Sequence, residues 1–378
     1  MPDPKTVLHI ITGLEDAGAE GALYRLITQD PGTRHVVISL SGAGKYGPML
    51  EEAGIELHCM HTTPQKLITS LKSLTALIKK ISPDAVQTWM YEADVFGGLA
   101  ARMAGIKNLH WSIRFSTVDM KGVPRKMKWA IRASIPLARV LPKTIISCAH
   151  KAVDEHVKLG YPRAPWRVVH NGYDFSRTDF SQSGRVRIRE EFGIPSTATV
   201  VGMVARFDPQ KDYTSLLKAF TKVSKKRDFH LLLVGRGVDC DPEMDNLVAA
   251  TGLEHKIHRA GSRPDIADIF SAMDVHVLAS RFGEGFPNVV AEAMACGAWS
   301  ISTDSGDATH ILEDKGFLIP MQNTWALTRV IEAQLDLLPE DEAGRTRGRE
   351  ENRNHVTDRF GIDRMVQGFH DIWFEGDQ

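Results

Sequence analysis

The chain has 378 residues, 43% hydrophobic and 25% charged, a composition typical of soluble globular proteins and a length that calls for two domains rather than one core. No apolar run approaches the roughly 18 residues of a membrane-spanning helix, and Cys59, Cys148, Cys240 and Cys296 lie too far apart for metal or redox spacing, so a reduced, cytoplasmic protein is expected. Residues 1–180 carry 23 Lys and Arg against 16 Asp and Glu, a net +7, and the remainder nets −8; the first half suits an anionic partner, although unequal domains alone can produce such asymmetry.

In chain order, VLHIITG reads as a strand rather than a signal core, because Glu15 and Asp16 follow it directly. The helical pattern EGALYRLITQD comes next, then the strands HVVISL and IELHCM and the helix KLITSLKSLTALIKKI. AVQTWM, NLHWSI and TIISC complete six strands. HNGYDFSRTDFSQSG (170–184) is dense in turn-forming residues and suits a linker. The alternation then restarts with ATVVGMV, YTSLLKAFTKVSKK, FHLLLVG, DNLVAATG, KIHRAG, DVHVLAS, PNVVAEAMACG and AWSIST. Strand–helix alternation of this kind predicts an α/β fold of two doubly wound, Rossmann-like domains. Ligands bind such sheets at the carboxyl ends of strands, so the expected site is a cleft between the two domains.

Two nucleotide-binding classes are disfavoured. The first strand is followed by GLEDAGAEG, whose glycines Gly13, Gly18 and Gly21 miss the dinucleotide spacing, and no Walker lysine motif occurs. Gly13 and Gly18 either admit a diphosphate to a helix amino terminus or only shape a turn. Arg206 and Lys211 follow the strand VGMV and are placed to grip phosphate oxygens, or are solvated loop charges.

In FGEGFPNVVAEAMACG (282–297) a loop enters a helix, with Pro287 suited to its first turn. The free N–H groups near Asn288 and Val289 suit a phosphate. Glu292, one turn inside, suits the paired hydroxyls of a ribose, and Glu284 suits the sugar beyond the phosphates. The competing reading is two surface acids near a helix start. Asp239 and Asp241 form a D-x-D, read as helix caps rather than metal ligands.

VARFDPQKD, VLASRFGEGFPNVVAEAMACG and GFLIP together resemble the retaining glycosyltransferases of the glycogen-synthase-like group, family 4 type, which have the two-domain GT-B fold. LHIITGL, VVHNGYD, LLLVGRG and HRAGSRPDI fit the same pattern. The resemblance implies a donor domain at 176–360, and an acceptor domain at 1–175 completed by a crossover helix at 361–378.

It also implies that Arg206 and Lys211 neutralise a nucleotide-diphosphate sugar, that Glu284 holds the sugar and that Glu292 holds the ribose. Backbone at Gly285, Phe286, Pro287, Asn288 and Val289 supports sugar and phosphate. Gly235 and the backbone near Arg263 line the donor site, and Gly18 lies at the diphosphate. No metal and no cofactor are implied.

The sequence departs from the family pattern in three places. Ala17-Gly18 stands for a glycine pair. Arg114 follows the fifth strand where a histidine is frequent, with His110 upstream. His310 stands for a glutamate. His110, Arg114 and Asn171 are candidate acceptor or sugar contacts.

From Met120 to Val153 there is no acidic residue but eight Lys and Arg, with Trp129 and Ile131 among them. Residues 120–151 suit an anionic membrane surface or a lipid diphosphate; a solvated helix is the competing reading. Nucleic acid is not expected. The implied function is sugar transfer from a UDP- or GDP-sugar to a glycan or lipid-linked acceptor in surface polysaccharide or glycolipid synthesis. An epimerase, or a non-catalytic nucleotide-sugar binder on the same scaffold, stays open.

Overall fold

The computed structural model describes residues 4–63, 67–115 and 125–375; Met120 and Lys121 of the basic stretch lie outside them. Contacts divide the chain into two units, Met1–Tyr173 with Ile362–Gln378, and Asp174–Gly361.

The first unit runs β1 (Thr6–Ile11), α1 (Gly18–Thr28), β2 (Arg34–Ser39), α2 (Tyr46–Glu52), β3 (Glu56–Cys59), α3 (Leu67–Ile81) and β4 (Ala85–Trp89). It continues with α4 (Tyr91–Met103), β5 (Leu109–Ile113), α5 (Arg125–Leu137), β6 (Thr144–Ser147), α6 (His150–Lys158) and β7 (Trp166–Val168). Its parallel sheet has the order β3-β2-β1-β4-β5-β6-β7, with Leu8 between Val36 and Val86. Helices cover both faces, which is why β1, β4 and β5 are buried at every position instead of at alternate ones. Leu8 and Ile10 pack with Leu74, Ile78 and Ile131, while Val7 and Ile11, on the opposite face, pack with Leu23 and Leu26 of α1.

The second unit runs α7 (Gln182–Glu191), β8 (Val200–Val204), α8 (Tyr213–Val223), β9 (His230–Val234), α9 (Pro242–Ala249), β10 (Ile257–Ala260) and α10 (Ile266–Ala272). Then come β11 (Val275–Leu278), α11 (Asn288–Ala295), β12 (Trp299–Thr303), α12 (Ala308–Leu312), β13 (Gly316–Ile319), α13 (Thr324–Leu337) and α14 (Glu342–Phe360). Its order is β10-β9-β8-β11-β12-β13, again parallel.

The structure departs from the sequence reading at the edges. β7 and β13 are edge strands of three and four residues, too short for periodicity to register. The presumed linker ends inside α7, whose Ser181 side chain accepts from the Gly184 N–H at 2.9 Å. α14 stops before Gly361, and α15 (Ile362–Trp373) begins beyond it. α15 belongs to the first unit, where Ile362, Met365, Phe369, Ile372 and Trp373 form one buried stripe against β1 and α1.

Candidate active site

In the second unit the strand order reverses between β8 and β11, and a doubly wound sheet opens its ligand crevice at the carboxyl ends of such strands. Arg206, Lys211 and Glu284 all lie on the loops that leave these two strands.

The loop after β8 owes its shape to two aspartates. Asp208 accepts from the Gln210 N–H at 2.8 Å and starts the short turn Pro209–Lys211. Asp212 is left-handed, with φ +49°, and accepts from Ser215 N at 3.2 Å to cap α8. Lys211 is held between them.

Its ammonium pairs with Oε1 of Glu284, and both side chains are largely buried, at 12% exposure each. Ser280 Oγ donates to the same Oε1 at 2.6 Å. Among the described residues no donor meets Oε2, which leaves that oxygen for a ligand hydroxyl. Arg206 is the more open cation, 47% exposed, with Asp208 Oδ2 at 3.3 Å and Gln210 Oε1 at 2.9 Å.

Gln210 was not singled out in the sequence, yet it joins the two loops. Its carbonyl accepts from Arg281 N at 2.7 Å, and its side-chain amide lies where a Cβ on Gly283 would come within 2.9 Å. Ser280 was missed too. Its only sequence signal is a small polar residue closing an apolar strand run.

The loop after β12 supports the one carrying Glu284. Ser305 Oγ accepts from the Glu284 N–H at 3.4 Å, and Asp307 N donates to the Gly285 carbonyl at 2.9 Å. Gly306 has φ +61°, and a Cβ there would lie 2.1 Å from the Gly285 oxygen, so only glycine fits. Phe286 is buried edge-on against Phe360.

Pro287 stands just before α11 rather than within its first turn. No side chain caps α11, and its first turn holds no acid, so the positive end of this helix suits an anion. Glu292 lies one turn further in.

Gly235 (φ +153°) has a reason internal to the fold, since a Cβ would lie 1.9 Å from the Ala205 carbonyl. The Arg263 guanidinium is taken up by Glu191 and Asp265 at 2.6 to 3.0 Å, so only its backbone is left for a base. Asp241 caps α9 by accepting from Glu243 N. His310 is exposed on α12, where its carbonyl accepts from Arg359.

In the first unit the order reverses between β1 and β4. The two glycines after β1 separate here. A Cβ on Gly13 would meet Ser41 Oγ at 2.8 Å, whereas one on Gly18 would meet nothing within 4 Å. Gly18 opens α1 without a side-chain cap, so neither packing nor a positive φ calls for glycine there.

His110 corrects the sequence reading. It is fully buried within β5, its Nε2 bonded to Asn108 Oδ1 at 2.9 Å, and burial with nearby Lys143 drops its pKa to about 3. It is a neutral core residue, not a substrate contact. Arg114 and Asn171 do meet, the guanidinium Nη1 donating to the amide Oδ1.

Two family models match the chain. "Glycosyltransferase Family 4" covers residues 7–177 and "Glycosyl transferases group 1" covers residues 198–336, so that between them they span most of its length. This chain is a family 4 type glycosyltransferase. Among its relatives, an Escherichia coli UDP-Gal:α-D-GlcNAc-diphosphoundecaprenol α-1,3-galactosyltransferase is 25% identical over 84% of this chain and 82% of its own. The Bacillus anthracis N-acetyl-α-D-glucosaminyl L-malate synthase is 26% identical over 61% and 59%, respectively. The fold is GT-B: Anabaena HepE, solved in complex with UDP, superposes with a TM-score of 0.84 at 20% identity, covering 96% of this chain and 98% of its own.

No helix among the described residues of this glycosyltransferase is long and apolar enough to cross a membrane.

Proposed function

We propose that this glycosyltransferase transfers a sugar, with retention, from a nucleotide-diphosphate sugar to a glycan or lipid-linked acceptor, without a metal. The carrying observation is the buried Lys211–Glu284 pair beside the open Arg206, at the switch point of the second sheet and next to the uncapped α11. HepE's complex with UDP supports the donor class.

Arg206 and the α11 N–H groups bind the diphosphate, and Lys211 adds positive charge while orienting Glu284. Glu284 holds sugar hydroxyls and Glu292 the ribose; backbone at Gly285 to Val289, at Gly235 and near Arg263 completes the donor site. The bond from the anomeric carbon to the diphosphate oxygen breaks as the acceptor oxygen attacks from the same face. The acceptor proton passes to the departing phosphate oxygen. Charge grows on that leaving group, so fixed cations stabilise the transition state more than the ground state.

The acceptor is anionic in this reading. The names of the two relatives carry L-malate, a dicarboxylate, and a diphosphoundecaprenol, a lipid diphosphate, and the first half of the chain nets +7. The second partner is an anionic membrane at the inner, cytoplasmic face, met by residues 120–151, consistent with surface-glycan or glycolipid synthesis. On α5 the exposed positions are Arg125, Lys126, Trp129, Arg132 and Pro136, with Trp129 at 74%.

Thermal stabilisation by UDP-, GDP- and ADP-sugars with chelator present tests the donor. One nucleotide family at about 100 times its Kd adds about 2.7 kcal/mol; no shift with any of them sinks the reading. Sedimentation with phosphatidylglycerol vesicles tests the surface, where Trp129→Ala should lower binding.

A further inference from the structure

Two arginines of the first unit converge on one turn, yet neither has an acid. Arg114, just past β5, donates from Nε to Ser112 Oγ at 3.1 Å and from Nη1 to Asn171. Its guanidinium lies over the rings of Trp89 and Phe369, at 5.0 and 5.4 Å. Arg25, on α1, donates from Nε to the Gly172 carbonyl at 3.1 Å and lies over the Tyr173 ring. In both residues Nη2 is buried and has no hydrogen-bond partner among the described residues, and neither guanidinium pairs with a carboxylate there.

Ring stacking engages the flat face of a guanidinium, while its N–H groups point outward in the plane. The aromatic partners therefore leave the in-plane donors unsatisfied, and a buried cation without an anion is unfavourable. Burial, with Arg25 adding to it, pulls the Arg114 pKa down to about 10. Among the described residues Glu20, the acid in the first turn of α1, does not pair with either arginine. Its Oε2 is itself buried without a partner, and burial raises its pKa.

We propose that Arg25 and Arg114 recognise a phosphate or carboxylate group on the acceptor through their unpartnered Nη2 donors. Planar N–H forks match both oxyanions, and two forks on one turn fix its orientation as well as its charge. The word acceptor rests on the glycosyl-transfer reading; the anion site itself does not.

The test is calorimetric titration of the full chain, saturated with UDP, with inorganic phosphate and with malonate as probes. One probe should bind saturably, and its identity distinguishes a phosphorylated acceptor from a carboxylated one. Arg114→Gln and Arg25→Gln should each weaken that binding about tenfold or more, with UDP affinity unchanged. If Arg114→Gln does not fold, Arg114→Lys keeps the stacked cation but lacks the fork, and should still lose the anion. Unchanged anion binding in folded variants, or no binding of either probe to the wild type, overturns the proposal. Failure of UDP to bind overturns the donor assignment instead, and the anion titration then stands by itself.

Discussion

The two units share a strand order and differ in how they handle buried polar groups. The second unit pairs charges. Asp274, buried at the start of β11, is met by Arg185, Arg189 and Arg345, and Lys211 is paired with Glu284.

The first unit wires rings together by hydrogen bonds. Trp89 Nε1 donates to His9 Nδ1 at 3.2 Å, His9 Nε2 meets His35 Nδ1 at 3.0 Å, and His35 Nε2 meets Asp30 at 3.1 Å. His370 of α15 closes on the same carboxylate at 2.6 Å. Burial pushes the Asp30 carboxyl up, but hydrogen bonds from His35, His370 and Thr33 outweigh it and bring it to about 2. Charge pairs satisfy the buried ions of the second unit. The hydrogen-bonded rings hold a scaffold, so the unpaired Arg25 and Arg114 stand out within it.

Five substitutions probe that contrast. Arg206→Ala should have the largest effect, a fall in kcat of about 10²–10³, with much less loss of nucleotide affinity. Equal losses in single-turnover rate and Kd would reduce Arg206 to ground-state binding.

Gly306→Ala forces a Cβ into the Gly285 carbonyl and should cost about 2–4 kcal/mol in urea unfolding. Gly18→Ala, which meets nothing, should leave urea unfolding unchanged.

His9→Leu orphans the Trp89 N–H and a nitrogen of His35, for about 2–3 kcal/mol at pH 7. His276 is its counterpart in the second unit. It is fully buried against Phe270, and neither ring nitrogen has a partner among the described residues. His276→Leu should therefore cost little at pH 7, and it should flatten the acid limb of the stability curve.

The sign follows from burial, which lowers His276 to about 3 and His156 and His258 to about 4. A histidine held neutral contributes fully above its unfolded value near 6.5. That contribution is lost as pH falls below it, because only the unfolded chain takes up the proton. For the deeply buried His276 and His156 the cost is about 1.4 kcal/mol per pH unit until the folded pKa is reached. Melting at pH 7 and pH 5 measures it; an equally steep limb in His276→Leu would put the titration elsewhere.

The site of the second unit was largely legible in the sequence because its groups lie on contiguous loops after strands. DPQKD frames Lys211 with two aspartates that both turn out to cap, and E-G-F-P-N runs straight into α11. The support from Ser280, Gln210 and the Ser305–Asp307 turn was not legible. These residues act through a carbonyl or a single hydroxyl, and nothing in their spacing marks that.

The first unit was harder to read. His110 looked like a candidate contact by position along the chain, but in β5 its side chain is buried and only residues past Ile113 reach the carboxyl edge. In the second unit α14 escaped notice, because half of its buried face is polar, Arg349 and Asn352 beside Val356 and Phe360, and Arg353 bonds to the Ala295 carbonyl.

By itself, then, the sequence determined the alternation of strands and helices, the loops that leave β8 and β11, and the acids and bases on them, because these follow from local periodicity and turn chemistry. Only the tertiary structure decided that α15 completes the first core, that Lys211 is neutralised by Glu284, and that two arginines 89 positions apart in sequence share one turn without an anion. Those facts depend on which distant side chains burial brings together, and burial has no signature along the chain.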